Sequence, residues 1–337
     1  MKILAPIDKA EEVEALIKAG ADELYCGLFW RDWLRKYPLV ALSRRPASIA
    51  NLKSFGKLRE IVDLAHSHGV CVTLAINEHY YIHEQYPLLF EYIQQAVGAG
   101  VDALIISDPA LLIAIRESQI MVDLHLSTGV TVLNSETIRF FQELGISRVT
   151  FERQMTIDEI RRATDDVSGV ETCVFVLNSR CPNIDGLCTF MHFQFADPSY
   201  KNACMLPYAY SPEGQTPQET GGEESREKGH LCLMRQQVWE RHHMDDLPCG
   251  ACALYDLLQM GIDYIKIVGR GNKSWRKEAD IKFIRKLLDI LKDRDISRRE
   301  FMERSRMLHS NTYKFSCQTI RCYFPEVMAQ REVHEYQ

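Results

Sequence analysis

The sequence predicts an α/β protein, a closed (β/α)8 TIM-like barrel with a Cys-rich insertion after strand seven and a C-terminal helical, Cys-containing tail. Three observations predict it. Short β-rich runs alternate with amphipathic helical patterns, and strands alternating with helices of about 10–15 residues imply parallel pairing through right-handed crossovers. The helices stop on glycines or polar turns, as C-caps do. The strand count reaches eight, the number that closes such a barrel. A doubly wound open sheet is the alternative arrangement of the same units.

The elements run in order. Lys2–Ile7 reads as a strand, and Lys9–Ala19 as a helix ended by Gly20. Glu23–Leu28 is the second strand. Lys57–His68, stopped by Gly69, leads into the apolar strand Val70–Asn77. Leu88–Ala99 stops at Gly100 before Ala103–Ser107, and Pro109–Glu117 precedes Met121–Ser127. Ser135–Leu144 stops at Gly145 before Arg148–Glu152; Thr156–Ala163, with Thr156 as N-cap, precedes Val170–Leu177. The last unit is Ala253–Met260, Gly261, the strand Tyr264–Val268 and a long helix Lys277–Lys292. Two insertions interrupt the spacing, Trp30–Phe55 and Asn178–Leu247. Residues 1–295 therefore form the barrel domain, with the insertion 178–247, and residues 296–337 a C-terminal extension packing on it.

Composition narrows the class. With 337 residues, 46% of them hydrophobic, the chain buries a large core, and its net charge of -6 argues against nucleic-acid binding through bulk charge. No apolar stretch reaches the roughly 18 residues of a membrane span. The opening Met1–Pro6 has no signal-peptide h-region, so the expected home is the cytoplasm.

Eleven cysteines in a reducing compartment point to metal rather than disulfides. Seven fall between Cys173 and Cys252. Cys181 and Cys188 are separated by six residues, Cys204 follows after fifteen and Cys232 after twenty-seven, all inside the insertion after strand seven. Four thiolates gathered over the barrel mouth bind zinc or an iron–sulfur cluster. Cys26, Cys71 and Cys173, on strands, read instead as small buried hydrophobes. A second set, Cys249-x2-Cys252 with Cys317 and Cys322, closes either a second four-thiolate site (zinc or iron–sulfur) or carries a redox-active thiol pair at a helix N-terminus.

Active sites of such barrels form at the C-terminal ends of the strands. Cys26, Asn77, His79, Asp108, His125, Ser127, Glu152, Arg153, Asn178, Lys266 and Arg270 fall there. His79, Asp108, His125, Glu152, Arg153, Lys266 and Arg270 are the residues expected to shape the substrate pocket. Arginine and lysine suit a carboxylate or phosphate, which guanidinium pairs bidentately. Two members have plainer readings: Asp108 before Pro109 caps the next helix, and His125 within an apolar strand is a satisfied core histidine.

Particular residues carry a resemblance. Leu4-Ala5-Pro6, Gly20-Ala21-Asp22-Glu23-Leu24-Tyr25-Cys26-Gly27, the stretch Gly129–Glu143 with Arg148-Val149-Thr150-Phe151-Glu152-Arg153, the Cys181-x6-Cys188 pair and Gly261–Arg270 resemble peptidase family U32, the collagenase-like peptidases, over about residues 1–290. The resemblance implies a barrel and, in several branches, a [4Fe–4S] cluster on four cysteines, here Cys181, Cys188, Cys204 and Cys232. The ubiquinone-pathway members (UbiU and UbiV) and the RNA members act as oxygen-independent hydroxylation factors. In other branches a cysteine at the place of Cys249 appears instead, so the fourth ligand is Cys232, Cys249 or Cys252. Val268 stands where the family has an acid in Lys-Ile-Glu-Gly-Arg.

The leading expectation is thus an iron–sulfur protein acting in oxygen-independent hydroxylation, or a related redox modification, of a small molecule or RNA. It would work with an electron-donor protein and with a homologous partner subunit or a second copy of itself. The alternatives are a U32-type peptidase and a non-catalytic iron–sulfur partner. From Lys266 to Arg306, fourteen Lys and Arg stand against seven Asp and Glu. That excess reads as a nucleic-acid face or, more plainly, as a solvated helix with intrahelical pairs such as Lys286 with Asp289, with no aromatic stacking platform beside it.

Overall fold

The structure, a computed structural model, describes residues 1–38, 42–45, 50–179, 181, 183–190, 204 and 247–329. Cys232 and most of the 178–247 insertion lie outside the described residues.

Eight parallel strands close the barrel: β1 (Lys2–Pro6), β2 (Glu23–Cys26), β3 (Cys71–Ile76), β4 (Ala103–Ile106), β5 (Asp123–Leu126), β6 (Arg148–Thr150), β7 (Glu171–Leu177) and β8 (Tyr264–Ile267). Each pairs with the next, and β8 returns to β1 through Ile3 opposite Ile265. Between them run α1 (Val13–Ala19), α2 (Arg31–Lys36), α3 (Phe55–Ser67), α4 (Tyr86–Gly98), α5 (Pro109–Glu117), α6 (Ser135–Glu143), α7 (Ile157–Thr164), α8 (Leu254–Gln259) and α9 (Ser274–Ile290). The tail adds α10 (Arg298–Tyr313) and the short α11 (Pro325–Ala329). Gly20, Gly100 and Gly145 follow their helices at positive φ, the left-handed cap that glycine adopts at least cost.

Parallel strands buried on both faces read as apolar runs, because helices cover the outside and side chains fill the inside. Outside, Leu24, Val72, Leu104 and Leu124 pack under helix residues such as Leu58, Ile93 and Leu112. Inside, Leu4, Tyr25, Ala75, Ile105, Cys173 and Tyr264 form a separate buried cluster. At the first residues of the strands, Arg148 closes the barrel interior: its guanidinium pairs with Glu23 at 2.8 Å and lies 3.5 Å from the centre of the Tyr264 ring.

Several expected bounds shorten. The first helix opens as a 3-10 turn (Ala10–Glu12) before α1. Strand β2 ends at Cys26 rather than Leu28, because the 30–55 insertion folds back: Leu52 N–H donates to Gly27 O at 2.8 Å and Phe29 N–H to Leu52 O at 2.8 Å. Gly27 is required there. A Cβ on it would stand 2.1 Å from Asn51 Oδ1 and 2.2 Å from Arg270 Nη1.

Helix α9 is tied to the start of the barrel. Lys277 on α9 is fully buried and pairs with Asp8 at 2.8 Å and Glu12 at 2.7 Å, while Arg285 reaches Asp22. Helix α10 packs on α9 and on the 251–253 turn.

Candidate functional site

The C-terminal ends of β6, β7 and β8 place Glu152, Arg153 and Lys266 around one mouth. Lys266, on β8, is buried with its ammonium 4.5 Å from the Tyr25 ring centre and 5.4 Å from that of Phe175. These ring faces attract a cation, but burial still pushes its pKa down to about 8, with Arg270, Arg153 and Arg148 adding repulsion. Arg153 stacks over the Phe175 ring at 4.4 Å. Arg270, in the loop after β8, reaches Ser43 Oγ and Asn51 Oδ1 at 3.4 Å each.

The two insertions supply residues that the strand pattern alone does not show. Arg44 and Arg45 come from the first. Burial lowers Arg45 to about 10, with Arg270 and Arg153 next in effect. Asp185 comes from the second, on a short 3-10 turn (Asp185–Leu187), and is the hub of the mouth. Its carboxylate accepts from Arg153 Nη1 at 2.8 Å and Thr128 Oγ1 at 2.7 Å, and Arg44 stands 3.8 Å away. Its carbonyl meets the His79 ring, and its N–H donates to Glu152 Oε2 at 3.3 Å. Gly186 makes this turn possible, since a Cβ there would lie 2.0 Å from Thr131 Oγ1 and 2.8 Å from Gly129 O.

Glu152 is buried, and its Oε1 has no hydrogen-bond partner among the described residues. Burial, then the Asp185 carboxylate, raises its pKa to about 7. Near neutral pH it is therefore a group able to hold or release a proton. Five cations (Arg44, Arg45, Arg153, Lys266 and Arg270) thus face Asp185 and a half-protonated Glu152, an arrangement that favours an anionic ligand.

Three of the four insertion cysteines gather at one side of this mouth. Cys188 and Cys204 bear electrostatically on each other and on Cys181, and Cys181 lies under the influence of Arg153. Cys204 lies under that of Arg44. Gln154 holds the strand of chain at Cys181, donating to Cys181 O at 2.7 Å and Asn183 O at 2.6 Å. Cys232 lies outside the described residues. Burial raises Cys181, and burial together with the neighbouring thiols Cys181 and Cys188 raises Cys204 to about 11; a bound cation reverses that mutual repulsion. Among the described residues no three His, Cys, Asp or Glu side chains are arranged to hold a single metal ion. A cluster spreads its thiolates over several irons, so the three thiols beside two arginines fit an anionic multi-iron group better than one ion.

Other expected members take different places. Asp108 is a helix cap and loop brace: one oxygen accepts from Ala110 N–H at 2.9 Å, the other from Tyr81 N–H at 3.0 Å. His125 points into the barrel interior, its Nδ1 unpartnered among the described residues. Burial, Arg148 and Lys266 hold its pKa well below the usual histidine range, so it is neutral. Cys26 is buried on the outer face of β2, among the residues packed under the helices, and Cys71 is exposed rather than buried, at the first residue of β3. Asn178 is structural: its side-chain amide donates to Val268 O at 2.9 Å and Asp280 Oδ2 at 2.8 Å. On α9 and α10 the charges pair along the helices, Lys292 rather than Lys286 with Asp289, and Arg304 with Glu300. An aromatic does stand at the head of α9: exposed Trp275 lines a groove of about 270 Å³ with Lys273, Arg276 and Asn272.

The family model of peptidase family U32 matches residues 8–322, and the chain belongs to that family. Among characterised proteins it is 27% identical over 219 residues to tRNA hydroxylation protein P of Haemophilus influenzae, covering 64% of this chain and 44% of that one. It is 24% identical over 295 residues to tRNA hydroxylation protein P1 of Bacillus subtilis, covering 86% and 63%. A 23S ribosomal RNA 5-hydroxycytidine synthase of Escherichia coli is 25% identical over 213 residues, covering 62% and 30%. The chain thus spans less than two thirds of the length of each of these relatives. No helix among the described residues is long and apolar enough to cross a membrane.

Proposed function

We propose that this chain is an iron–sulfur enzyme that hydroxylates RNA without using molecular oxygen. The observation that carries the reading is the gathering of Cys181, Cys188 and Cys204 beside a buried cationic mouth. Those three cysteines with Cys232 would hold a [4Fe–4S] cluster, which when bound supplies single electrons. Hydroxylation proteins of transfer and ribosomal RNA among its relatives support the substrate class. A charge of -6 over the chain makes bulk electrostatic capture of RNA weak, so recognition is local.

The residues of the mouth divide the work. Arg153, Lys266 and Arg270, themselves held over the Tyr25 and Phe175 rings, bind an anionic group, a phosphate or a carboxylate. Asp185 fixes Arg153 and Arg44 in place. Glu152 holds or releases a proton at its unpartnered Oε1. Trp275 offers a face on which a base stacks, worth about 1–3 kcal/mol. A co-substrate that gives up an oxygen atom and is reduced as the nucleoside carbon is oxidised, an electron-donor protein that primes the cluster, and a homologous subunit or second copy complete the system.

A peptidase reading has less support. It needs a nucleophile within reach of a free base. Ser127 Oγ instead accepts from Asn77, and the His79 ring is engaged by Asp185.

The test is anaerobic purification with iron, sulfide and zinc counts, followed by nucleoside mass analysis of RNA from a host lacking its own hydroxylation relatives. The expected result is iron and sulfide that disappear in Cys181→Ala, Cys188→Ala and Cys204→Ala but persist in Cys173→Ala and Cys71→Ala, with one added oxygen on a nucleoside of the RNA. Stoichiometric zinc without iron or sulfide defeats the cluster, and peptide cleavage with unmodified RNA favours the peptidase.

A further inference from the structure

The groove at the head of α9 holds groups that the mouth does not use. Its volume is about 270 Å³, and residues that follow β7 and β8 line it. Trp275 stands there 64% exposed. Exposed Lys273 and the more sheltered Arg276 bring two cations to it. Arg276 is anchored from behind: its Nε lies 2.9 Å from Asp280 Oδ1 and its guanidinium 4.5 Å from the centre of the Tyr313 ring. Its Nη2 is nonetheless buried with no hydrogen-bond partner among the described residues.

Asn178 and Ser179, after β7, and Leu247, where the insertion returns, complete the lining. All three hold φ in the left-handed region, at 64°, 47° and 23°. Non-glycine residues adopt that region at a cost, and such strain collects at ligand sites. Asn178 is 5% exposed and spends its amide N–H groups on Val268 O and Asp280 Oδ2, which leaves Oδ1 buried without a partner among the described residues. The groove thus brings together a cationic donor lacking an acceptor, an acceptor lacking a donor, and an exposed aromatic face. Buried polar groups in that state call for a partner. A nucleotide meets all three needs: its phosphate oxygens accept, a base amino group or the sugar hydroxyl donates, and its base stacks. An acidic peptide meets only the first. Duplex RNA also fits poorly, because its bases are stacked on one another inside the helix.

We propose, on the reading of the mouth as an RNA site, that this groove seats one unpaired nucleotide of the strand whose target nucleotide enters the mouth, so that the substrate is single-stranded RNA. The two places are close. Arg270 serves the mouth and Lys273 the groove, and three residues of chain span at most about 10–11 Å. About three stacked nucleotides, or fewer in an extended strand, cover that distance. The seated nucleotide is therefore a near neighbour of the target, and the groove fixes the register in which the strand crosses the mouth.

The test measures binding apart from chemistry. Full-length protein is purified anaerobically, and fluorescence anisotropy follows a labelled pool of short single-stranded RNAs and the same pool annealed to its complement. Wild type should bind the single strands more tightly than the duplexes. Trp275→Ala should weaken single-strand binding by about 5- to 150-fold, the worth of one stacked base, and Trp275→Phe should restore most of it. Lys273→Ala should lower the slope of log Kd on log salt by about 0.7, one phosphate contact on a single strand. Both side chains are exposed, so these substitutions spare the core. Single-strand binding that is unchanged in Trp275→Ala overturns the proposal and leaves the reading of the mouth standing, as does duplex bound as tightly as single strand. Wild type that binds neither form and leaves cellular RNA unmodified overturns the reading of the mouth as well.

Discussion

Replacing Asp185 with Asn tests the electrostatic account of the mouth. The substitution keeps the size of the side chain and an oxygen for Thr128, but removes the charge that balances Arg153 at 2.8 Å and Arg44 at 3.8 Å. The side chains of all three are at most 10% exposed, so solvent screens little of the interaction. Unit charges about 4 Å apart at an effective dielectric near 20 interact by about 4 kcal/mol, and removing one partner of a buried pair typically costs about 3–5 kcal/mol. The retained neutral hydrogen bond returns about 1 kcal/mol of this. The expected loss is therefore about 3 kcal/mol, read by urea unfolding, whose denaturant adds no ions. Sulfate should recover stability in the variant more than in wild type, because the uncovered arginines gain an anion; at ten times its Kd, a ligand adds about 1.4 kcal/mol. A loss below about 1 kcal/mol, or equal sulfate effects on both proteins, would show that Asp185 does not hold the cations together.

Three further outcomes follow from the same charges. Lys266 has a folded pKa lowered to about 8, so its contribution is present above its unfolded value and is lost as pH falls through about 8; Lys266→Met should be more stable at pH 7 by roughly 3 kcal/mol while losing sulfate binding, and an unchanged pH slope of unfolding would refute this. Glu152 is the opposite case, raised to about 7: its contribution is present below the unfolded carboxylate pKa and is lost as pH rises through about 7, so Glu152→Gln should gain roughly 3 kcal/mol at pH 8 and little at pH 4, measured by urea unfolding at both. Lys277→Met leaves Asp8 and Glu12 buried without their cation; it should cost about 3–5 kcal/mol, and Asp8→Asn in the same chain should return part of that.

What the sequence made legible follows from periodicity. Eight strand–helix units announce a barrel because the strands are mostly apolar on both faces and, outside the two insertions, the crossovers are of similar length. Glu152, Arg153, Lys266 and Arg270 were readable for the same reason: each lies on or within a few residues of the end of a strand, and strand ends point to the mouth. Arg44, Arg45 and Asp185 arrive from insertions without a repeat, so no spacing placed them. One signal was available for Asp185. It sits before Gly186 inside Cys181-x6-Cys188, over a mouth already known to be cationic, and a buried cluster of cations requires a counter-charge. Asp108 was ambiguous because one motif, Asp before Pro, both caps a helix and ends a strand. Trp275 escaped notice because the long-helix pattern was started at Lys277, whereas the helix begins at Ser274 and leaves the indole exposed on its first turn.

The two cysteine sets are joined by the chain that separates them. The insertion leaves the barrel at Asn178 and returns at Pro248, and there its ends are fastened: Asn178 N–H donates to Pro248 O at 2.9 Å, and Gly250 N–H to Val176 O at 2.7 Å. Cys249 is paired with Leu177 on one side and Cys322 on the other, and the Tyr323 hydroxyl donates to Asn178 O. The backbone of one cysteine thus ties together the end of β7, the return of the insertion and the tail. Closing a long loop costs entropy that grows only slowly with its length, so most of that cost is met once the base is closed. The tail thus bears on the first set through that base, while Asp185, between Cys181 and Cys188, reaches Arg153 and Thr128 and fixes how that turn meets the barrel.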